Sequence, residues 1–242
     1  MTVDAESLAS GAPPEVRTRL ALALDIDDIV EARRLARVLR PWFGVAKVGL
    51  ELYSAAGPEA IEAMIDDGFA VFADLKLLDI PTTVNRAARV MGSLGASYLT
   101  VHTRAGLDHL RAGVDGFAAG ADAAGLDAPT CLGITVLTSE PADPDALSQR
   151  VGFVVDTRCG GLVCAAADLA MVRSLAPGVL TVVPGIRPAG VDADDQARPA
   201  TPSSAVAAGA DLLVIGRAVT GAEDPAAAAA TIAAEVANAM GV

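Results

Sequence analysis

Three charged residues interrupt an apolar run within six positions: Asp74, Lys76 and Asp79 in Phe72-Ala73-Asp74-Leu75-Lys76-Leu77-Leu78-Asp79-Ile80-Pro81. On an extended strand, residues two apart share a face, so Asp74 and Lys76 point one way while Ala73 and Leu75 take the other. Burying charge costs several kcal/mol per ion unless it is paired. A core-like run that carries these three therefore needs either a structural ion pair or a working site. Lys47 repeats the placement in Val45-Ala46-Lys47-Val48-Gly49, again in a run otherwise fit for a core. Neighbouring parallel strands lie about 4.8 Å apart, close enough for Lys47 to join Asp74 and Lys76 in one cluster. Alternating Lys and Asp lowers each carboxylate's pKa and keeps each ammonium charged, leaving a fixed array in a partly dry site. Such an array can repel a substrate carboxylate while stabilising the carbanion left when it departs.

A second set of residues has the chemistry of an anion cradle. Val183-Pro184-Gly185-Ile186-Arg187 and Ile215-Gly216-Arg217 each end an apolar run in glycine and arginine, and Asp195-Gln196-Ala197-Arg198 lies between them. Glycine lets backbone N–H groups approach a phosphate, and arginine adds bidentate charge-assisted bonds. Gly216-Arg217, opening a short helix, adds the partial positive charge of a helix N-terminus. Residues 188–199, rich in Pro, Gly, Asp and Ala, have the composition of a flap that closes over such a ligand. Asp25 is a further polar group closing an apolar run. The histidines say less: His102 ends a strand and suits a structural imidazole as well as a mouth residue, while His109, on the helix that follows, is expected at the surface. Asp74 and Asp79 have the hard oxygens that Mg²⁺ takes, but Lys76 and Lys47 already neutralise them, so no metal site is expected.

These groups need elements to hold them. Short runs rich in Val, Ile and Leu recur at 20–24, 43–49, 70–75, 97–101, 130–136, 161–164, 180–184 and 211–215, giving eight expected strands. Helical segments fall between them, at 28–40, 58–67, 82–94, 105–119, 167–176 and 203–208, several opened by a capping residue or by proline. Eight such alternations match a single-domain α/β fold of the (β/α)₈ TIM-barrel type, whose strands read as near-continuous apolar runs because both faces are covered. A doubly wound open sheet would want a Gly-rich turn after the first strand, and that strand runs instead into Asp25-Ile26-Asp27-Asp28. In a barrel, function sits at the C-terminal strand ends, which is where Asp25, Lys47, Asp74, Lys76, Arg187 and Arg217 fall. Residues 1–17, polar and Pro-containing, are expected to be a flexible leader, with the barrel over 18–242.

Composition narrows the choices. The chain has 242 residues with 52% hydrophobic content, enough for one large core. A net charge of −12 has the wrong sign for coating nucleic acid. No apolar stretch is long enough to span a membrane, and the N-terminus lacks the pattern of a secretory signal. Cys131, Cys159 and Cys164 form no CxxC pair and sit in or beside apolar runs, so buried thiols and a reducing cytoplasm are expected.

Together these residues resemble the orotidine 5′-phosphate decarboxylase family over residues 20–225. The resemblance is carried by Leu22-Ala23-Leu24-Asp25, Lys47-Val48-Gly49, the run Asp74-Leu75-Lys76-Leu77-Leu78-Asp79-Ile80-Pro81-Thr82-Thr83-Val84, Thr100-Val101-His102, Ile134 to Ser139, Pro184-Gly185-Ile186-Arg187, Asp195-Gln196 and Ile215-Gly216-Arg217. It implies decarboxylation of orotidine 5′-phosphate to UMP in pyrimidine biosynthesis, without cofactor or metal. Lys76 would be the proton donor to C6 of the pyrimidine, Asp74 would lie against the departing carboxylate, and Lys47 would complete the charge alternation and touch the ribose. Asp79 and Thr83 would reach into a neighbouring subunit's site, implying a homodimer with shared active sites. Asp25 would bind a ribose hydroxyl, Thr138 the pyrimidine amide, and Arg187, Gln196, Gly216 and Arg217 the phosphodianion, with Gln196 on the flap. Two departures accompany the match: residues 139–160 form a short connection, and Thr103-Arg104-Ala105-Gly106 follows His102 where smaller residues are expected.

Two other readings compete. The metal-dependent sugar-phosphate branch of the same barrel, with 3-keto-gulonate-phosphate decarboxylase and hexulose-phosphate synthase, shares the DxKxxD motif and phosphate loops. It carries an acidic metal ligand where this chain has Lys47, and an ammonium there repels Mg²⁺. A non-catalytic phosphate-binding barrel would be expected to have lost part of the charge array, whose members are all present here; the fold alone does not decide between them.

Overall fold

The computed structural model describes residues 3, 4, 6, 8–137, 140, 141, 143–188 and 200–242. Eight parallel strands close into a barrel in sequence order: β1 (Leu20–Leu24), β2 (Val45–Val48), β3 (Ala70–Leu77), β4 (Tyr98–His102), β5 (Thr130–Ile134), β6 (Gly161–Val163), β7 (Leu180–Val183) and β8 (Leu212–Ile215). Helices cover the outside: α1 (Pro14–Arg17), α2 (Ile29–Leu39), α3 (Leu50–Ala56), α4 (Glu59–Asp66), α5 (Pro81–Ser93), α6 (Leu107–Ala123), α7 (Pro144–Asp156), α8 (Leu169–Leu175), α9 (Pro202–Ala207), α10 (Arg217–Thr220) and α11 (Pro225–Met240). This is the single-domain (β/α)₈ architecture that the alternation of runs predicts. Capping chemistry sets several helix starts. Asp28 accepts from the N–H groups of Val30 and Glu31 at 2.8 and 2.9 Å to open α2, and Asp143, Thr201 and Asp224 do the same for α7, α9 and α11.

The period of two sorts each strand between two cores. Leu20, Leu22 and Leu24 join the layer between sheet and helices, whereas Ala21, Ala23, Val45, Phe72, Leu132, Val182, Leu212 and Val214 fill the barrel interior. Continuing the inward face toward the strand C-termini replaces these apolar groups by chemistry: Ala23 is followed two residues on by Asp25, Val45 by Lys47, Phe72 by Asp74, Tyr98 by Thr100 and Val214 by Gly216. The site is thus the last interior layer of the barrel.

One expectation is corrected, that of His109. Described residues of the leader make contacts with the barrel. The Trp42 indole donates to the Leu8 carbonyl at 2.8 Å, the Ala12 N–H to the Pro41 carbonyl at 2.9 Å, and Val16 in α1 is fully buried. Leu8 and Val16 join the main hydrophobic core, a role that the segment's polar composition conceals. His109 is buried, not at the surface: its Nδ1 lies 2.8 Å from the carbonyl of Asp79 and its Nε2 3.2 Å from that of Leu77. The strand-to-helix loop after β3 folds back over α6 and gives the imidazole a polar wall that helix periodicity does not reveal.

Candidate active site

Lys47, Asp74 and Lys76 meet as a continuous array with Asp25 at its outer end. Lys47 Nζ lies 3.0 Å from Asp25 Oδ1 and 3.7 Å from Asp74 Oδ2, and Lys76 Nζ donates to Asp74 Oδ2 at 2.7 Å. Lys47 and Asp74 are only 7% and 9% exposed, so water screens them little, while Asp25 and Lys76 face the opening. Burial alone would push the Asp74 carboxyl up; the ammonium groups of Lys47 and Lys76, with hydrogen bonds from Lys76 and Thr100, outweigh it and hold the carboxyl below the usual carboxylate range. Asp74 is therefore an anion at neutral pH in a site where a second, substrate-borne carboxylate would meet like charge.

The geometry is sharper than simple strand alternation. Beyond Ala73, which pairs with Leu99, the next partner on β3 is Leu77, opposite Val101, so β3 advances four residues while β4 advances two. The extra residues form a bulge, and Lys76 sits within it at φ +49°, which costs a non-glycine residue on the order of 1 kcal/mol. Such bulges re-aim side chains, and this one turns the Lys76 ammonium back onto Asp74. Gly49, two residues beyond Lys47, is part of the same packing. A Cβ there would stand 2.9 Å from Asp25 Oδ1 and 3.0 Å from Lys47 Nζ, so only glycine leaves those two groups undisturbed.

Asp25, Lys47, Asp74 and Lys76 line one side of a cavity of about 370 Å³, and Arg187, Gly216 and Arg217 also line it. Apolar groups from β5 to β7, among them Ile134, Val163 and Val182, complete the wall. That combination suits a flat ring between a charged end and an anion. Arg187 is 7% exposed and Arg217 is exposed. Gly185 turns the chain at φ +75°, where a side chain would be strained, and the bridge between Ile186 and Ala200 draws together the two ends of the segment expected to be a flap. Residues 189–199, with Gln196, and Thr138 lie outside the described residues, so the structure places neither of those expected contacts.

Asp79 and Thr83 do not join this cavity in their own chain; both are exposed, on the loop after β3 and on α5. His102 is buried, and its Nδ1 has no hydrogen-bond partner among the described residues. Burial, reinforced by Arg104, Lys76 and Arg150, pushes its pKa down to about 4, so it is neutral at pH 7. Sequence reasoning gave Thr100 no role, yet its hydroxyl donates to Asp74 Oδ1 at 3.0 Å. The available signal was its place on β4, two residues inward of Tyr98, where a polar residue interrupts the apolar layer. Among the described residues no group of three or more His, Cys, Asp and Glu side chains is arranged to hold a metal ion.

Fold and site define the class: a (β/α)₈-barrel enzyme whose strand ends hold a buried Lys/Asp array facing a rim with two arginines. The model of the orotidine 5′-phosphate decarboxylase / HUMPS family matches residues 18–232, and the chain belongs to that family. It is 44% identical over 228 residues to an orotidine 5′-phosphate decarboxylase of Anaeromyxobacter sp. (strain K), covering 89% of this chain and 97% of that protein. It is also 44% identical over 231 residues to one of Thermobifida fusca, covering 90% and 95%. The crystal structure of orotidine 5′-phosphate decarboxylase from Lactobacillus acidophilus superposes with a TM-score of 0.77 at 29% identity, over 90% of this chain and 98% of that one.

Proposed function

We infer that this chain catalyses the decarboxylation of orotidine 5′-phosphate to UMP in pyrimidine biosynthesis, with the Lys47–Asp74–Lys76 array as its chemical centre. The observation that carries the mechanism is the buried Asp74 anion held between two ammonium groups in a cavity lined by Arg187 and Arg217. The substrate's C6 carboxylate meets the Asp74 charge, and the C6–carboxylate bond breaks to release CO₂, leaving its electron pair on C6. Lys76 stabilises that carbanion and passes an Nζ proton to it, then recovers a proton from solvent. Lys47 keeps Asp74 ionised and, with Asp25, takes the ribose hydroxyls. Arg187, Arg217 and the Gly216 backbone hold the phosphodianion, and Thr138 and Gln196 are assigned the pyrimidine amide and the phosphate on the resemblance alone.

The family model spans metal-dependent relatives as well, and the array favours the metal-free branch: the Lys47 ammonium, 3.0 Å from Asp25 and 3.7 Å from Asp74, supplies the positive charge that a divalent ion would bring. The test is the ultraviolet absorbance change when purified chain meets orotidine 5′-phosphate in EDTA. Undiminished turnover is expected; turnover that disappears in EDTA and returns with Mg²⁺ would favour the sugar-phosphate branch instead.

The working unit is a homodimer in which Asp79 and Thr83 complete the partner's site. Exposed Leu78, Ile80 and Val90 on the same loop and helix support this reading, since apolar groups flanking two exposed polar residues suit an interface. The enzyme works in the cytoplasm on a small molecule, without nucleic acid or membrane; no helix among the described residues is long and apolar enough to cross a bilayer.

A further inference from the structure

We propose that Thr100 on β4 is a positioning residue for the reaction, whose single hydroxyl fixes the Lys76 backbone and the Asp74 carboxylate relative to each other. The Lys76 N–H donates to Thr100 Oγ1 at 2.9 Å, and Thr100 Oγ1 donates to Asp74 Oδ1 at 3.0 Å. The direction of both bonds is set by chemistry. A backbone N–H can only donate, so the hydroxyl's own proton remains available for the carboxylate, which can only accept. Thr100 is fully buried, so no solvent molecule competes for these bonds.

The position matters because the ladder fails there. Between the Ala73–Leu99 and Leu77–Val101 pairs, the bulged residues of β3 have lost their regular β4 partners, and Lys76 stands at φ +49°. The Thr100 side chain supplies the acceptor that the Lys76 N–H would otherwise lack, closing a ring of contacts: Thr100 to Asp74 Oδ1, Lys76 Nζ to Asp74 Oδ2, and the Lys76 backbone back to Thr100. Each carboxylate oxygen thereby has a different donor, which fixes the rotation of the carboxylate plane and so the direction from which Asp74 meets a substrate carboxylate. Valine in place of threonine keeps the shape and removes both functions of the hydroxyl, accepting from the Lys76 N–H and donating to Asp74.

This inference rests on the decarboxylase reading, and the test separates the two. Wild-type turnover of orotidine 5′-phosphate tests the reading; Thr100 variants test the inference. Thr100→Val is expected to lower kcat about 10- to 100-fold, the range for losing one hydrogen bond to a charged group, with KM within about threefold. Thr100→Ser, which restores the hydroxyl, should return kcat to within about threefold of wild type. If Thr100→Val does not fold, Thr100→Ala carries the same expectation with less crowding. A readout independent of turnover is the titration of the Asp74 carboxyl, followed by NMR with ¹³C-labelled aspartate. It should move to higher pH in the valine or alanine variant and stay in place in the serine variant. Unchanged kcat and an unmoved Asp74 titration in the hydroxyl-free variant, or equal losses in the serine and valine variants, would overturn the proposal.

Discussion

Lys47 and Lys76 are the chain's only lysines beside sixteen arginines, and both belong to one charge array. An ammonium is a compact charge that can release a proton, which a guanidinium effectively cannot, so the scarce residue type stands where proton transfer is needed. These residues were legible in the sequence because charges in an apolar run demand an explanation. The Thr100 hydroxyl and the buried ring of His109 were not, because neither carries a formal charge that its neighbours must pay for. His102 lends itself to a test at this scale. In the folded chain it stays neutral down to about pH 4, whereas unfolded it takes a proton near the ordinary histidine value of 6.5. As pH falls from 6.5 to 4 the unfolded chain binds the proton first, so stability should drop by on the order of 3 kcal/mol and then level off. Asp67, Asp74 and Asp211, whose pKa values lie below 3.8, add their losses only at lower pH. Thermal melts of His102→Gln should lack the slope between pH 6.5 and 4; a slope equal to wild type would show that another group causes it.

At the scale of elements, the period of two accounted for which side chains face inward, and hydrophobic runs located the strands to within a few residues. The β3 bulge was hidden. The spacing of Asp74 and Lys76 put them on one face of a regular strand, whereas the strand leaves its ladder between Ala73 and Leu77 and reaches the pairing through a left-handed Lys76. Register against β4 is a property of two strands and cannot be read from one. The loop between β2 and α3 shows a similar dependence on three dimensions. Gly49 reads as a strand-end glycine, yet a Cβ there would crowd both Asp25 and Lys47. Gly49→Ala should therefore lower kcat/KM by about tenfold or more while shifting the melting temperature little, since the crowded atoms are the far ends of the Asp25 and Lys47 side chains rather than backbone. Steady-state kinetics beside a thermal melt decide the matter: full activity in the variant would mean that the contact relaxes without cost to the array.

At the scale of the whole molecule, the charge of −12 forms the background for a cavity that gathers two lysines and two arginines. The cavity is incomplete in one chain if Asp79 and Thr83 serve the partner, which gives the dimer a functional test. Neither Asp79→Ala nor Lys76→Ala should be active alone. Mixed in equal amounts and allowed to exchange subunits, they should recover up to about a quarter of wild-type activity, because half of the dimers are hybrids with one intact site each. No recovery on mixing would place Asp79 in its own chain's site or outside the chemistry. The central claim, that the array performs the decarboxylation through Lys76, is tested most directly by the rate of orotidine 5′-phosphate consumption, followed by ultraviolet absorbance, for wild type and Lys76→Ala. Wild type should turn over the substrate and Lys76→Ala should be slower by about a thousandfold or more. A Lys76→Ala rate within tenfold of wild type would contradict the account.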